Sequence, residues 1–192
     1  MKKTIIGIAI VAVLAFWAMG NYNKMVTEEE NVETSWGNVE NQYQRRMDLI
    51  PNLVATVKGY AAHEKETFEA VIAARAKATQ ITIDPSNATP EQLAAYQNAQ
   101  GELSQALGRL LAVSESYPDL KANQNFMALQ EQLEGTENRI TVARNDFNKA
   151  VKEFNTLIRK FPNNIIANIF GFERKSNFEA EAGAEKAPTV EF

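Results

Sequence analysis

The sequence predicts an all-α protein, with a membrane-spanning N-terminal helix followed by three to four long helices that pack as a bundle. Three observations carry that expectation. Thr4 to Asn23 is an uncharged, strongly apolar run, and its twenty residues at about 1.5 Å each reach roughly 30 Å, the thickness of a bilayer core. Residues 24–160 contain few prolines and no useful stretch that alternates with period two. Phe126, Leu133, Ile140, Phe147, Phe154 and Phe161 recur every seven residues, with Leu129, Ala143, Ala150 and Leu157 three positions after members of that series. This is the a/d seam of a long bundle or coiled-coil helix.

The first element is the anchor. Lys2 and Lys3 precede it, and Trp17 and Tyr22 sit where aromatic side chains collect at a membrane interface. A cleaved secretory signal is the competing reading, because Ala18-Met19-Gly20 offers small residues before Asn21. The length of the run and its bulky end favour an uncleaved anchor. After the span, Glu28, Glu29 and Glu30 outweigh Lys24. The positive-inside rule then places the N-terminus in the cytoplasm and the bulk of the chain in the periplasm or outside, anchored once in the inner membrane of a two-membrane cell.

The next stretch runs from the membrane to about Thr79, with a seam of Val32, Trp36, Val39, Tyr43, Ile50, Val57 and Val71. Pro51 interrupts it, so the chain either kinks there or starts a new helix capped by Asp48. A kink would leave residues 24–47 as a stalk of roughly 35 Å whose seam needs a partner, most simply a second copy. A reversal would consume the same seam in a four-helix bundle. Asp84-Pro85-Ser86-Asn87 and Thr89-Pro90 end this stretch, and Thr89, Pro90 and Gln92 spell a capping box with proline at the first helical position.

The helix that follows, Glu91 to Ser116, carries Leu93, Tyr96, Leu103, Leu107 and Leu110 on one face, with Ala94, Gly101 and Gly108 repeating beside them. Interior glycines cost about 1 kcal/mol each in helix propensity, so this stripe is either a groove for a close helix or a tolerated solvated face. Ser116-Tyr117-Pro118-Asp119 ends the helix, and Asp119 or Asn123 can cap the next. Beyond Pro162, the apolar Ile165–Phe172 segment reads as a short helix packed on the bundle or as a contact for a neighbour or for lipid. From Glu173 onward charged and small residues dominate, and little order is expected. The expected organisation is a cytoplasmic flank 1–3, an anchor 4–23, a helical domain 24–172 and a polar tail 173–192.

Composition narrows the chemistry. The 192 residues amount to one ordinary domain plus appendages, with net charge −4 from 20 basic and 24 acidic side chains. Arg45, Arg46 and Lys58 are too few and too mixed with acids to make a nucleic-acid face. The absence of cysteine excludes disulfides, thiolate catalysis, Cys-ligated metals and a lipidated N-terminal cysteine. His63 is the lone histidine, and His63-Glu64 does not extend to His-Glu-x-x-His, since position 67 is Thr. No phosphate loop, dinucleotide fingerprint or nucleophile elbow occurs, so no catalytic, cofactor or metal residue is assigned.

Charges on the seams are more informative. Arg46 follows Val32 and Val39 in phase, Glu64 lies between Val57 and Val71, and Arg75 follows Phe68 by seven. Glu137 and Arg144 flank Ile140, and Asn148 and Asn155 follow Phe147 and Phe154. A buried charge must be paired or hydrogen-bonded, so interhelical pairing among Glu64, Arg75, Glu137 and Arg144 is one expectation and snorkelling at boundary positions is the other.

These same positions carry a resemblance. Asn41 to Arg46 with Asp48-Leu49-Ile50-Pro51-Asn52-Leu53-Val54, Thr56 to Tyr60, His63-Glu64, Tyr117 to Lys121, Glu137-Asn138-Arg139-Ile140, Ala143-Arg144, Phe147-Asn148, Phe154-Asn155 and Phe161-Pro162 resemble the motifs of the LemA family over residues 21–172. One departure is phenylalanine at 147 and 154, where the family commonly has tyrosine. The resemblance implies a bacterial membrane-anchored protein with an antiparallel helical bundle and no enzymatic activity or cofactor. It also implies an envelope scaffold or adaptor, with a membrane protease as one candidate partner.

The expected function is therefore a non-enzymatic scaffold, bound to the bilayer through residues 4–23 and acting by self-association or docking of another membrane protein. A lipid or small-hydrophobe binding module is the alternative, and an uncharacterised hydrolase the remote one. The structural or assembly candidates are Trp36, Arg45, Arg46, Asp48, Pro51, Asn52, Glu64, Arg75, Gly101, Gly108, Glu137, Asn138, Arg139 and Arg144.

Overall fold

The apolar run and the first amphipathic stretch form one uninterrupted helix. In a computed structural model, which describes residues 2–179, α1 extends from Lys2–Tyr60, a rod of about 88 Å. Its first part exposes Ile5, Ile8, Val11, Leu14 and Phe16 on all sides, as a lipid-facing span does, and it is long and apolar enough to cross a membrane. From Met25 onward the helix buries Met25, Val32, Trp36, Val39, Tyr43, Arg46, Met47, Ile50, Leu53 and Val57, the three-and-four spacing of a bundle seam.

Pro51 neither ends nor reverses α1. The proline is exposed while Ile50 and Leu53 beside it are buried, so packing continues along the inner face past the missing backbone donor. Asp48 caps nothing there, and its carboxylate accepts from the Gln44 amide at 2.8 Å. The reversal comes at Ala61–Glu64, before α2 (Lys65–Gln80), which splits the stretch expected to run to Thr79.

The reason lies in α5 (Gln124–Arg159), which runs antiparallel to α1 in a constant register. Trp36 meets Phe147 with ring centroids 5.2 Å apart, Arg46 meets Glu137 at 2.8 Å, and the Tyr60 hydroxyl accepts from Asn123 at 2.8 Å. Asn123 is the N-cap of α5, its side chain accepting from Phe126 N–H at 2.9 Å. Beyond Tyr60 there is no α5 left to cover α1, and a longer helix would project its seam into water.

α3 (Pro90–Ala112) pairs with α2. Its start is the expected capping box, with Gln92 N–H donating to Thr89 at 3.2 Å and Thr89 N–H donating to Gln92 at 3.0 Å. A 3-10 turn at Val113–Ser116 and α4 (Pro118–Lys121) lead into α5. The α1/α5 and α2/α3 pairs make an up-down-up-down four-helix bundle. Two apolar cores result, one from Met25 to Tyr43 and one from Met47 upward, and Arg46 stands between them.

The stalk is corrected. α2 and α3, at 16 and 23 residues, are shorter than the 36 of α5, so they leave the membrane-proximal end of the α1/α5 pair, below Leu93 and Tyr96, uncovered. That face is closed by α6 (Asn163–Phe170) and by an extended segment, 172–179, rather than by another copy. Gly171, at φ +76°, supplies the left-handed turn between them. The expectation of little order from Glu173 is thus corrected over 173–179, where Phe178 is buried. Residues 180–192 of that tail lie outside the described residues. Phe161, expected on the α5 seam, falls beyond the helix and is exposed.

Candidate functional site

The heptad phase of α1 places an arginine where an apolar residue is expected, and the bundle closes around it. Arg46 is 1 % exposed. Its Nη1 donates to Ser104 Oγ at 2.6 Å and to Glu137 Oε1 at 2.8 Å, and its Nη2 donates to the Gln100 carbonyl at 3.3 Å and to Gln100 Oε1. Its Cζ lies 5.1 Å from the centre of the Tyr43 ring. One guanidinium therefore ties α1 to α3 and α5 together, leaving only Nε without an acceptor. Glu137 is 38 % exposed, so its charge keeps some hydration while the arginine loses nearly all of its own.

Of the four seam charges expected to pair with one another, Glu137 pairs with Arg46 instead. The turn at Ala61–Glu64 carries Glu64 to the far end of the bundle, where it accepts from the Tyr117 hydroxyl at 3.2 Å. Burial, reinforced by that carboxylate, raises the Tyr117 phenol above its usual range. Arg75 is half-buried on α2, with its Nε unpartnered. Arg144 lies 4.8 Å over the Phe178 ring.

The second half of the site is a clamp on the C-terminal segment. The Asn148 amide donates to the Phe178 carbonyl at 3.0 Å, and Phe178 N–H returns a bond of 2.9 Å to Asn148 Oδ1. Asn155 repeats the arrangement on Lys175, at 2.8 and 2.9 Å. Seven residues of helix advance about 10.5 Å and three residues of extended chain advance about 10 Å, so two heptad asparagines match every third residue of the segment. Lys175, 8 % exposed, reaches Glu29 at 2.6 Å and the Ser86 carbonyl at 2.9 Å. Ser176 donates to the Ala88 carbonyl at 2.9 Å. Phe178 fills a box with Trp36 and Phe147.

The other candidates divide by burial. Trp36 is a core residue, 2 % exposed. Arg45, Asp48, Pro51, Asn52, Asn138 and Arg139 are exposed. Gly101 is half-buried and Gly108 exposed, and among the described residues no atom from another element lies within 4 Å of a Cβ built on either, so no described helix approaches the glycine stripe closely. Sequence reasoning located Asn148 and Asn155 but not their role, and it missed Gln100, Ser104, Lys175 and Phe178. The available signal was the Phe-Asn dipeptide repeated seven residues apart.

His63 is exposed in the turn before α2, and no group of three or more histidine, aspartate or glutamate side chains is placed to hold a metal among the described residues. Burial drives the Tyr96 phenol well above its ordinary value, with Tyr43 and Glu40 adding to it. Asp84 is lowered by the Ser86 N–H and the Asn87 side chain, and Glu91 by its own N–H and Thr89. These serve turns and caps.

The model of the LemA family matches residues 35–192. Magnetosome protein MamQ 2 of Paramagnetospirillum magneticum is 30 % identical over 197 residues, covering 93 % of this chain and 72 % of that protein. Magnetosome protein MamQ of Magnetospirillum gryphiswaldense is 29 % identical, covering 94 % and 74 %. Protein LemA of Metamycoplasma hominis is 21 % identical, covering 90 % and 75 %. Among its described residues the chain carries one helix long and apolar enough to cross a membrane, and it belongs to the LemA family.

Proposed function

We propose that this protein is a bilayer-tethered scaffold that docks another envelope membrane protein or a second copy of itself. The observation that carries this reading is the unbroken passage of α1 from the membrane span into the bundle. A rod without a hinge gives the bundle a fixed attitude to the bilayer, which a positioning device needs and a tethered enzyme does not. The names of the MamQ relatives, magnetosome proteins, favour a place among membrane-bound assemblies. A membrane protease is the partner class that the family resemblance suggests. Lys2 and Lys3 before the span, against a single Lys24 amid acids after it, support a cytoplasmic N-terminus and an external bundle.

Seam burial gives no support to self-association, because α5, α6 and the C-terminal segment cover the seam. The docking surface proposed is polar instead. Arg45, Asp48 and Asn52 recur at i, i+3 and i+7 on an exposed stripe of α1, and the Arg46–Glu137 pair sets exposed Asn138 and Arg139 at the same height on α5. A photoreactive amino acid at Asn52 or Arg139, with Ile72 on α2 as the control, tests it in intact cells. Discrete adducts from the first two positions alone are expected, with their mass separating a second copy from another protein. No adduct, or the same smear from all three, overturns the scaffold. Because the chain has no cysteine, Val142→Cys reports sidedness through a membrane-impermeant maleimide.

A further inference from the structure

Residues 161–172 contain no charged side chain, and α6 inside them is apolar on both faces. It buries Ile166 and Ala167 against the bundle, yet leaves Ile165, Ile169 and Phe170 at 50, 70 and 58 % exposed, with Phe161 just before it at 82 %. Outside the membrane span, the other large apolar side chains so exposed among the described residues are Tyr60, Ile72, Met127 and Val142, scattered over three helices. Scattered exposure is ordinary, whereas a contiguous patch marks a contact.

The position of the patch identifies what covers it. Tyr22, near the end of the span, has its ring 4.8 Å from Phe170 and 5.7 Å from Phe172. Ala18, inside the span, packs against the cluster that contains Ile166 and Ala167. Lys24, just past the span, and Lys160, just before α6, line one groove. These contacts bring α6 against α1 at the level where α1 leaves the hydrocarbon. A helix is about 10 Å across, so the outer face of α6 falls within the lipids that surround α1 at that depth.

We infer that α6 is an interfacial helix, with Phe161, Ile165, Ile169 and Phe170 seated at the headgroup–acyl boundary of the bilayer that α1 crosses. An apolar face bounded by cationic residues lies in the plane of a membrane in this way. Arg159 and Lys160 on one side and, one residue past the exposed acid Glu173, Arg174 on the other are exposed and extend their charges to lipid phosphates. The bundle is then held at two points, which fixes its tilt and rotation as well as its height. This inference depends on the span alone and not on the docking partner.

The lack of cysteine permits a clean test on the full chain. Spin labels at Ile165→Cys, Ile169→Cys and, as an aqueous control, Val142→Cys are read in vesicles of phosphatidylcholine and phosphatidylglycerol, at high dilution of protein in lipid. Labels at 165 and 169 are expected to collide with oxygen more than with an aqueous nickel chelate, inverting the ratio found at 142. The 142-like ratio at both positions overturns the inference, and so does shielding from both reagents, which means that protein covers the face. A photoreactive lipid reads the unmodified chain: it is expected to label the tryptic peptide from Phe161 to Arg174, and its failure to do so while labelling the anchor peptide also overturns the inference.

Discussion

Trp36 and Phe178 stack with ring centroids 5.7 Å apart and planes inclined by only 19°, although one follows the membrane span and the other nearly ends the described chain. The stack exists because α3 begins only at Pro90, level with the Ser86–Ala88 turn that the C-terminal segment touches. Below that level, neither α2 nor α3 covers the α1/α5 pair. The segment closes the core there with one aromatic side chain and two asparagine clamps.

Loss of that closure should therefore be measurable. Phe178→Ala removes a side chain that is 3 % exposed and should lower stability by about 3 kcal/mol, with red-shifted emission from Trp36. Asn148→Ala and Asn155→Ala each remove two hydrogen bonds to backbone and should cost about 1–2 kcal/mol. Thermal melts with tryptophan emission check this, and an unchanged Trp36 signal would mean that the segment does not seal the core.

The Arg46 node predicts non-additivity. Glu137→Ala leaves a nearly dehydrated guanidinium with neutral acceptors alone, and a loss of about 2 kcal/mol is expected, below the value for a fully buried pair because Glu137 is partly hydrated. Arg46→Met combined with Glu137→Ala should be no worse than Glu137→Ala alone. A double-mutant cycle by chemical denaturation measures this, and simple addition of the two single losses would show the pair to be uncoupled.

Gly101 and Gly108 make the opposite kind of prediction. With open space where a Cβ would stand, alanine at either position should stabilise α3 by about 0.5–1 kcal/mol. A drop in melting temperature would instead reveal a close neighbour at this stripe in the assembled protein.

Tyr96 sets a pH dependence. Its folded-state pKa is raised, mainly by burial, from an ordinary value near 10. The neutral phenol's contribution is complete below that value and is lost as the pH rises above it, since the unfolded chain ionises first. Relative to Tyr96→Phe, the native protein should lose up to about 1.4 kcal/mol per pH unit above 10. Denaturant midpoints from pH 8 to 11 test it, and parallel curves would place the phenol in contact with water.

Much of this fold could be read in the chain. The anchor, the seams from Val32 to Val57, from Leu93 to Leu110 and from Phe126 to Phe154, the Thr89 capping box and the Asn123 cap all depend on spacing and local chemistry. Neighbours along a helix enforce such features, so a short window contains their cause. Continuity through Pro51 and the reversal at Ala61 escaped that logic, because the length of α5 decides where α1 stops being covered. The partners of Arg46 escaped it too, as Glu137 is 91 positions away, and so did the clamp, whose Lys175 and Phe178 lie in a segment with the composition of a disordered tail. Periodicity tells a helix which face to bury. Which surface then covers that face depends on relative lengths and register across the whole chain, and those come into being only when the helices pack.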